Sequence, residues 1–390
     1  MPYFSFVLKS APSKDIVDFA RFTSIKIVIG KKYYSKNTHL WKLLNLKKNS
    51  FILTALNKEK REKIKDLSSS ILFCLPPSIG LGDAIEYGLA IDTIIKYKIF
   101  KKVGVSFTNK YTKIFAKYFN CKHIYDDIIS EEALDTFNTI FHFTLEINEL
   151  HFQKYNRQNI EKLITNYFSV KILPYDILQK EKITKIRNIT IFPISNSPIR
   201  SMTISLLNFL IKKLSKEFNL TIILNNESEI SNYIKKNIIN KYDIKILNPQ
   251  NIEVLVSIIE QISFGIFVDS GPLHVAKIFN KKGILIETTV DSKKLLPQYS
   301  RILNVSNKYH SRYCHGPCGL IDLINYNNAC GCYDSLRVSK NKIMSLNNLN
   351  SLQRGSLKKN YLDFVKNPVN CQKSINNDKV LNLIRKNIDL

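Results

Sequence analysis

Long apolar runs are missing from this chain, and acidic residues are scarce. No stretch of 18 consecutive apolar residues occurs among its 390 residues, so the sequence implies no membrane-spanning helix. The opening stretch MPYFSFVLKSAPSKD has neither the basic start nor the apolar core of a secretory signal. These absences lead us to expect a soluble, cytoplasmic protein.

Asp and Glu number 32 against 58 Lys and Arg, a formal charge of +26. Such an excess suits an anionic partner: a nucleotide-sugar, a phosphorylated glycolipid, an anionic membrane surface or nucleic acid. Only 10 of the 58 basic residues are Arg, and the charges are spread along the chain rather than clustered. A compositional drift toward Lys, Asn and Ile produces the same picture without selection for binding. No nucleic-acid-binding motif is recognisable, so no nucleic-acid partner is expected.

What is present describes a globular protein. Hydrophobic residues make up 44% and aromatics 11%, and 390 residues exceed one ordinary core, so two domains are the natural reading. Residues 1–70 read as an N-terminal extension, with one strand over Ser24–Gly30 and a Lys-rich helical stretch from His39 to Leu67. From Ile71 a strand–helix rhythm begins: ILFCL, a PPSIGLG loop, the helical DAIEYGLAIDTIIKY, then KKVGVSFT and further short strands at HIYDD and TIFHFT. It restarts at NITIFPI and runs through five strands alternating with helices. The reading is α/β: residues 71–185 and 186–390 as two facing Rossmann-like domains with parallel sheets, and a final helix, NDKVLNLIRKNI, able to pack on either. A ligand is then expected in the crevice at the carboxyl ends of the strands.

Three stretches carry chemistry. In FVDSGPLHVAKIF, a strand delivers Asp269 and Ser270 to the sheet edge, Gly271 is the expected N-cap, Pro272 the first helical residue, and His274 lies one turn in. A helix start with a close-approach glycine suits a phosphate or pyrophosphate. An ordinary strand-to-helix turn would use the same residues. In LPPSIGLGDAIEYGLAI, Gly80 and Gly82 tighten a loop and Asp83 opens a helix; Asp83 with Glu86 also fits a plain capping box. In IFPISNSPIRSMTISLLNFL, the polar Ser195, Asn196, Ser197 and Arg200 follow a strand, fitting either a diphosphate or a solvated loop.

In this order the stretches resemble glycosyltransferase family 9, the lipopolysaccharide heptosyltransferases and their relatives, over roughly residues 71–305. The family's glycine-loop-Asp is matched by Gly80, Gly82 and Asp83, and its D-[ST]-G-x-x-H by Asp269, Ser270, Gly271 and His274. Its small polar residues before a basic residue and a Trp-Pro pair are matched by Ser195, Asn196 and Arg200, with Met202 and Thr203 where the Trp-Pro would stand.

The resemblance implies a GT-B fold and an inverting transfer that needs no metal or other cofactor. It implies Asp83 as general base, Arg200 with Ser195 and Asn196 stabilising the departing nucleoside diphosphate, and the Asp269–His274 helix start, with Pro272, holding the pyrophosphate. Gly82 would line the donor site. The ribose-binding acid would be Glu227 or Glu229, with Glu227 favoured. The donor would be a nucleotide-sugar and the acceptor a cell-envelope glycolipid or polysaccharide, with peripheral contact at the inner membrane. A nucleotide-sugar epimerase of the same fold and a non-catalytic sugar-nucleotide-binding protein are the rival readings; Asp83 and Arg200 together favour catalysis.

Four of the seven cysteines, Cys314, Cys318, Cys330 and Cys332, fall within one short segment beside His315. C-x3-C-x11-C-x-C could ligate zinc, but C-x-C is not a usual knuckle, and the favoured reading is reduced or packed thiols with no metal.

Overall fold

The computed structural model describes residues 3–10, 19–47, 53–59, 69–76, 79–107, 111–143, 159–173, 186–225, 228–296, 301–311, 315–319 and 361–389. The chain divides into two compact units, Met1–Leu173 and Pro174–Leu390.

Among its described residues, the first unit holds two sheets. Strands β1 (Tyr3–Leu8), β2 (Lys32–Ser35) and β3 (Leu53–Glu59) join β7 (Ile128–Ser130) in an antiparallel sheet of order β3-β1-β2-β7. Strands β4 (Ser70–Cys74), β5 (Lys102–Ser106), β6 (His123–Tyr125) and β8 (Thr139–His142) form a parallel sheet of order β6-β5-β4-β8. Its helices are α1 (Thr38–Lys47), α2 (Leu81–Lys96), α3 (Thr112–Tyr118), α4 (Glu131–Asp135) and α5 (Ile160–Tyr167).

Two expectations for the first 70 residues need correction. Ser24–Gly30 is an irregular loop, not a strand. Its β-branched run suggests a strand, but the Val28 N–H donates to the Tyr33 hydroxyl (2.9 Å), and the Gly30 N–H donates to the Leu8 carbonyl (2.7 Å) with φ at +80°. The chain therefore turns here, and pairing with β1 begins only at Lys32. The helix expected from His39 to Leu67 ends at Lys47, and Leu53–Glu59 pairs with β1 instead. A partner edge within reach overrides the weak helical preference of a Lys-rich run.

The parallel sheet is covered differently on its two faces. Leu72, Cys74 and Ile140 share one face and pack against Tyr34 and Ile129 of the antiparallel sheet and Leu134 of α4. Phe73 and Phe141 share the other face, where they meet Phe143 and Phe168 beside α5. Gly88 on α2 is there because a Cβ would sit 2.1 Å from the Phe119 ring.

Where the two sheets meet, the Ser24 N–H and hydroxyl donate to Asp126 (2.7 and 2.6 Å), and the Asn37 amide donates to Asp127 (3.1 Å). Burial pushes the Asp127 carboxyl up to about 6, with the neighbouring Asp126 charge adding to it and the Asn37 bond opposing it. A carboxyl raised in the folded state binds its proton more tightly there than in the unfolded chain. Its contribution is therefore present below the ordinary carboxyl range and lost as pH rises through about 6. Asp127→Asn keeps an oxygen and removes the titration. Denaturation midpoints measured from pH 4 to pH 7.5 should show the variant gaining on the parent by roughly 2–3 kcal/mol across that range. A constant difference would contradict the account.

The second unit is built on a six-stranded parallel sheet. Its strands are β9 (Asn188–Phe192), β10 (Asn219–Ile223), β11 (Lys245–Leu247), β12 (Gly265–Phe267), β13 (Gly283–Ile286) and β14 (Ile302–Val305), in the order β11-β10-β9-β12-β13-β14. Helices α6 (Ile204–Leu214), α7 (Glu229–Asn237), α8 (Ile252–Gln261), α9 (Gly271–Ile278) and α10 (Ser292–Leu295) alternate with them.

Helix α6 shows why the sequence folds this way. The Thr203 hydroxyl accepts the Leu206 N–H (3.2 Å), and Leu206, Leu207, Leu210, Ile211 and Leu214 form one buried face. Each such side chain is worth about 1.5–3 kcal/mol on burial. The last helices, α11 (Tyr361–Lys366), α12 (Asn370–Lys373) and α13 (Asn377–Asp389), belong to this unit. Tyr361, Val365, Val380, Leu381 and Ile384 complete the core beneath the sheet. A short ribbon, β15 (Tyr309–His310) with β16 (His315–Gly316), follows β14.

Both units thus carry the parallel sheet with helices that a two-Rossmann-domain architecture requires. Numbered within the second unit, the strand order is 3-2-1-4-5-6, the dinucleotide-fold order, with its reversal between β9 and β12. The first unit repeats it in short form, 3-2-1-4, with the reversal between β4 and β8.

Candidate functional site

The reversal point of an open parallel sheet is where two loops diverge and leave a crevice at the carboxyl ends of the strands. In the second unit those loops are the ones after β9 and β12, which contain residues 195–200 and 269–274. The structure brings the two stretches together. The Ser195 hydroxyl donates to the Asp269 carbonyl (2.8 Å), and Arg200 Nη1 lies 3.4 Å from that carbonyl and 3.3 Å from the Asp269 carboxylate. Asp269 is 5% exposed.

Strand β12 delivers this turn from a tightly packed base. The Phe267 ring packs against Gly265, where a Cβ would sit 2.1 Å from it, and stacks on Phe192 of β9 at 5.0 Å. The N-cap of α9 is Ser270, not Gly271; Gly271 and Pro272 are the first two helical residues. Ser270 makes no side-chain cap: its hydroxyl donates to the Val268 carbonyl (3.2 Å). The pattern of residues is the expected one, shifted by a position. Buried His274 points its Nδ1 toward Lys277 Nζ at 3.4 Å, and Lys277 is fully buried.

The loop after β9 is held by residues that its own sequence does not announce. The Ser201 hydroxyl accepts the Ser195 N–H (2.8 Å) and donates to the Ser197 carbonyl (2.9 Å). The Tyr361 hydroxyl donates to the Ser195 carbonyl (2.7 Å) and also meets the Ser201 hydroxyl. The Gln372 amide donates to the carbonyls of Pro198 (3.1 Å) and Ser201 (3.0 Å). Tyr361 and Gln372 lie 160 to 174 residues downstream of their partners, and only the packing of α11 and α12 on this loop reveals them. Tyr361→Phe should lower the unfolding free energy by about 1–3 kcal/mol, because the buried Ser195 carbonyl loses its donor. A melt indistinguishable from the parent's would show that the hydroxyl is not needed there.

Asn196 is exposed, and Glu227 lies outside the described residues. Glu229 is the exposed first residue of α7, capped by Ser228 (3.2 Å from the Ser231 N–H).

In the first unit, Gly82 and Asp83 lie in the first turn of α2, after β4 at its reversal point. The capping box differs from the expected Asp83–Glu86 pair. Gly80 is the N-cap, and Asp83, three residues on, accepts the Gly80 N–H (3.3 Å). Glu86 is instead buried and accepts the Asn159 amide (2.7 Å). Asp83 itself is exposed. Burial, and after it the nearby Asp83 charge, pushes the hydroxyls of Tyr87 and Tyr111 above their ordinary range. The carboxylate thus stands at the sheet's carboxyl edge beside two neutral phenols.

Of the cysteine segment, Cys314, Cys330 and Cys332 lie outside the described residues; Cys318 is exposed, and His315 Nδ1 meets His310 Nδ1 at 2.7 Å. Among the described residues no three His, Cys, Asp or Glu side chains gather as a metal site, and no helix is long and apolar enough to cross a membrane.

No family model and no curated protein matches the chain. Solved structures similar to it include an E. coli heptosyltransferase WaaC with ADP, at 9% identity and TM-score 0.42 over 60% of this chain and 90% of that one. A glycosyl transferase family 9 protein from Veillonella parvula is 9% identical with TM-score 0.47, covering 64% and 90%. The iron-containing dodecameric glycosyltransferase TibC from enterotoxigenic E. coli is 13% identical with TM-score 0.49, covering 83% and 77%. Likeness at this level assigns no activity to the chain.

Proposed function

We propose that the chain is an inverting, metal-independent glycosyltransferase that moves a sugar from a nucleotide-sugar donor to a cell-envelope glycolipid or polysaccharide acceptor, in the cytoplasm at the inner membrane. The observation that carries this is the convergence of two distant polar stretches, Ser195–Arg200 and Asp269–His274, on the reversal point of the second sheet. A guanidinium, a helix start and small hydroxyls at that point are what a diphosphate needs.

In this reading the pyrophosphate lies at the start of α9. Arg200 turns from the Asp269 carboxylate toward the phosphate oxygens and stabilises charge as the sugar–phosphate bond breaks. Asp83 accepts the proton of the attacking acceptor hydroxyl. Its exposure suits a group that must reach a substrate. Ser195 orients the Asp269 backbone; Asn196, Gly82, Pro272 and Glu227 are assigned to the donor by the family resemblance alone. An epimerase would consume donor without an acceptor product, and a binding protein would consume none.

The test is a thermal-shift panel of ADP, GDP and UDP followed by a donor-consumption assay. One nucleoside diphosphate at 100 times its Kd should stabilise the chain by about 2.7 kcal/mol, and its sugar conjugate should be turned over. No shift from any of the three would sink the reading.

A further inference from the structure

Two threonines at the carboxyl edge of the second sheet belong to none of the stretches above. Thr288 and Thr289 follow β13, are each 2% exposed, and have side-chain hydroxyls without a hydrogen-bond partner among the described residues. Folded chains seldom leave such groups, because a buried hydroxyl has given up water and gained nothing in return.

Their place is informative. Strand β13 runs parallel to β12 with Phe267 beside Leu285. Both strands end at the same edge of the sheet, so the threonines emerge one strand over from the turn that opens α9. Their loop is fixed by the Glu287 carboxylate and by one backbone carbonyl. Glu287 accepts the N–H groups of Ser292 (3.0 Å) and Asn307 (3.3 Å), and the Gly319 N–H donates to the Thr289 carbonyl (2.6 Å). The two hydroxyls are what this network leaves over. Both are enclosed, but a turn about χ1 carries each hydroxyl to another staggered position without moving the backbone.

The two hydroxyls are neutral, and each can donate and accept. A sugar hydroxyl does both as well, whereas the phosphates of the donor have Arg200 and the start of α9 in the reading above. We propose that Thr288 and Thr289 form the subsite for the hydroxyls of the sugar carried by the donor, an assignment that rests on the donor reading above.

The experiment compares Thr288→Val, Thr289→Val and the matching Ser variants in the full chain. Calorimetry uses ADP, GDP and UDP with ADP-glucose, GDP-mannose and UDP-glucose. For the pair in which the parent binds the sugar conjugate more tightly than the bare diphosphate, the Val variants should lose roughly tenfold toward the conjugate. They should keep parent affinity for the diphosphate, and Ser should restore both. Without ligand, the Val variants should melt at or above the parent's temperature, since no bond is lost. A lower melting temperature would show a partner within the protein and overturn the assignment. So would equal losses for conjugate and diphosphate, no loss at all, or a panel in which no conjugate outbinds its diphosphate. If no diphosphate binds the parent, the donor reading itself has failed, and this subsite falls with it.

Discussion

Asp83→Asn should fold like the parent, bind donor like the parent, and transfer sugar about 100-fold more slowly or worse. The structural role of Asp83 is to accept the Gly80 N–H from the third position of α2. An asparagine oxygen accepts the same bond, so the stability change should stay within roughly 1 kcal/mol. The chemical role differs. A general base must take up a proton, and an amide does not. Glu86 cannot replace it, because Glu86 is buried and accepts the Asn159 amide. Initial rates at saturating donor and acceptor, with matched thermal melts, separate the roles. Transfer at the parent's rate would leave Asp83 a helix-capping residue and move the base elsewhere.

Arg200→Ala should lower turnover by on the order of 100-fold or more, the scale of losing one preorganised stabiliser of developing charge. Affinity for the nucleoside diphosphate should fall as well. Arg200 already leans on the Asp269 carboxylate at 3.3 Å, so a bound diphosphate has to compete for a guanidinium that is positioned in advance. Arg200→Lys keeps the charge but loses the planar fork, and should recover part of the affinity. Unchanged kinetics at saturating donor would show that the pair only fastens two loops together.

The second unit was largely legible because most strands there are short apolar runs bounded by turn residues and several helices have a capping side chain and one apolar face, as Thr203 with Leu206, Leu207 and Leu210 illustrates. The first 70 residues were not. Their strands pair with each other and with Ile128–Ser130, far along the chain, and non-local pairing leaves little local signal. Strand β7 itself, three residues between two longer patterns, carries almost none. The residues around Ser195 and Asp269 stood out by type and position. Their mutual contact, and the grip of Tyr361 and Gln372 on the same loop, depend on how α11 and α12 pack. Periodicity places a helix but does not say against which neighbour.

The central claim is that a diphosphate sits at the reversal point of the second sheet. A crystal structure of the chain with whichever of ADP, GDP or UDP raises its melting temperature tests it most directly. The account predicts phosphate oxygens within hydrogen-bonding distance of the Gly271 N–H and the Arg200 guanidinium. A diphosphate bound elsewhere, with Arg200 still on Asp269, would contradict it.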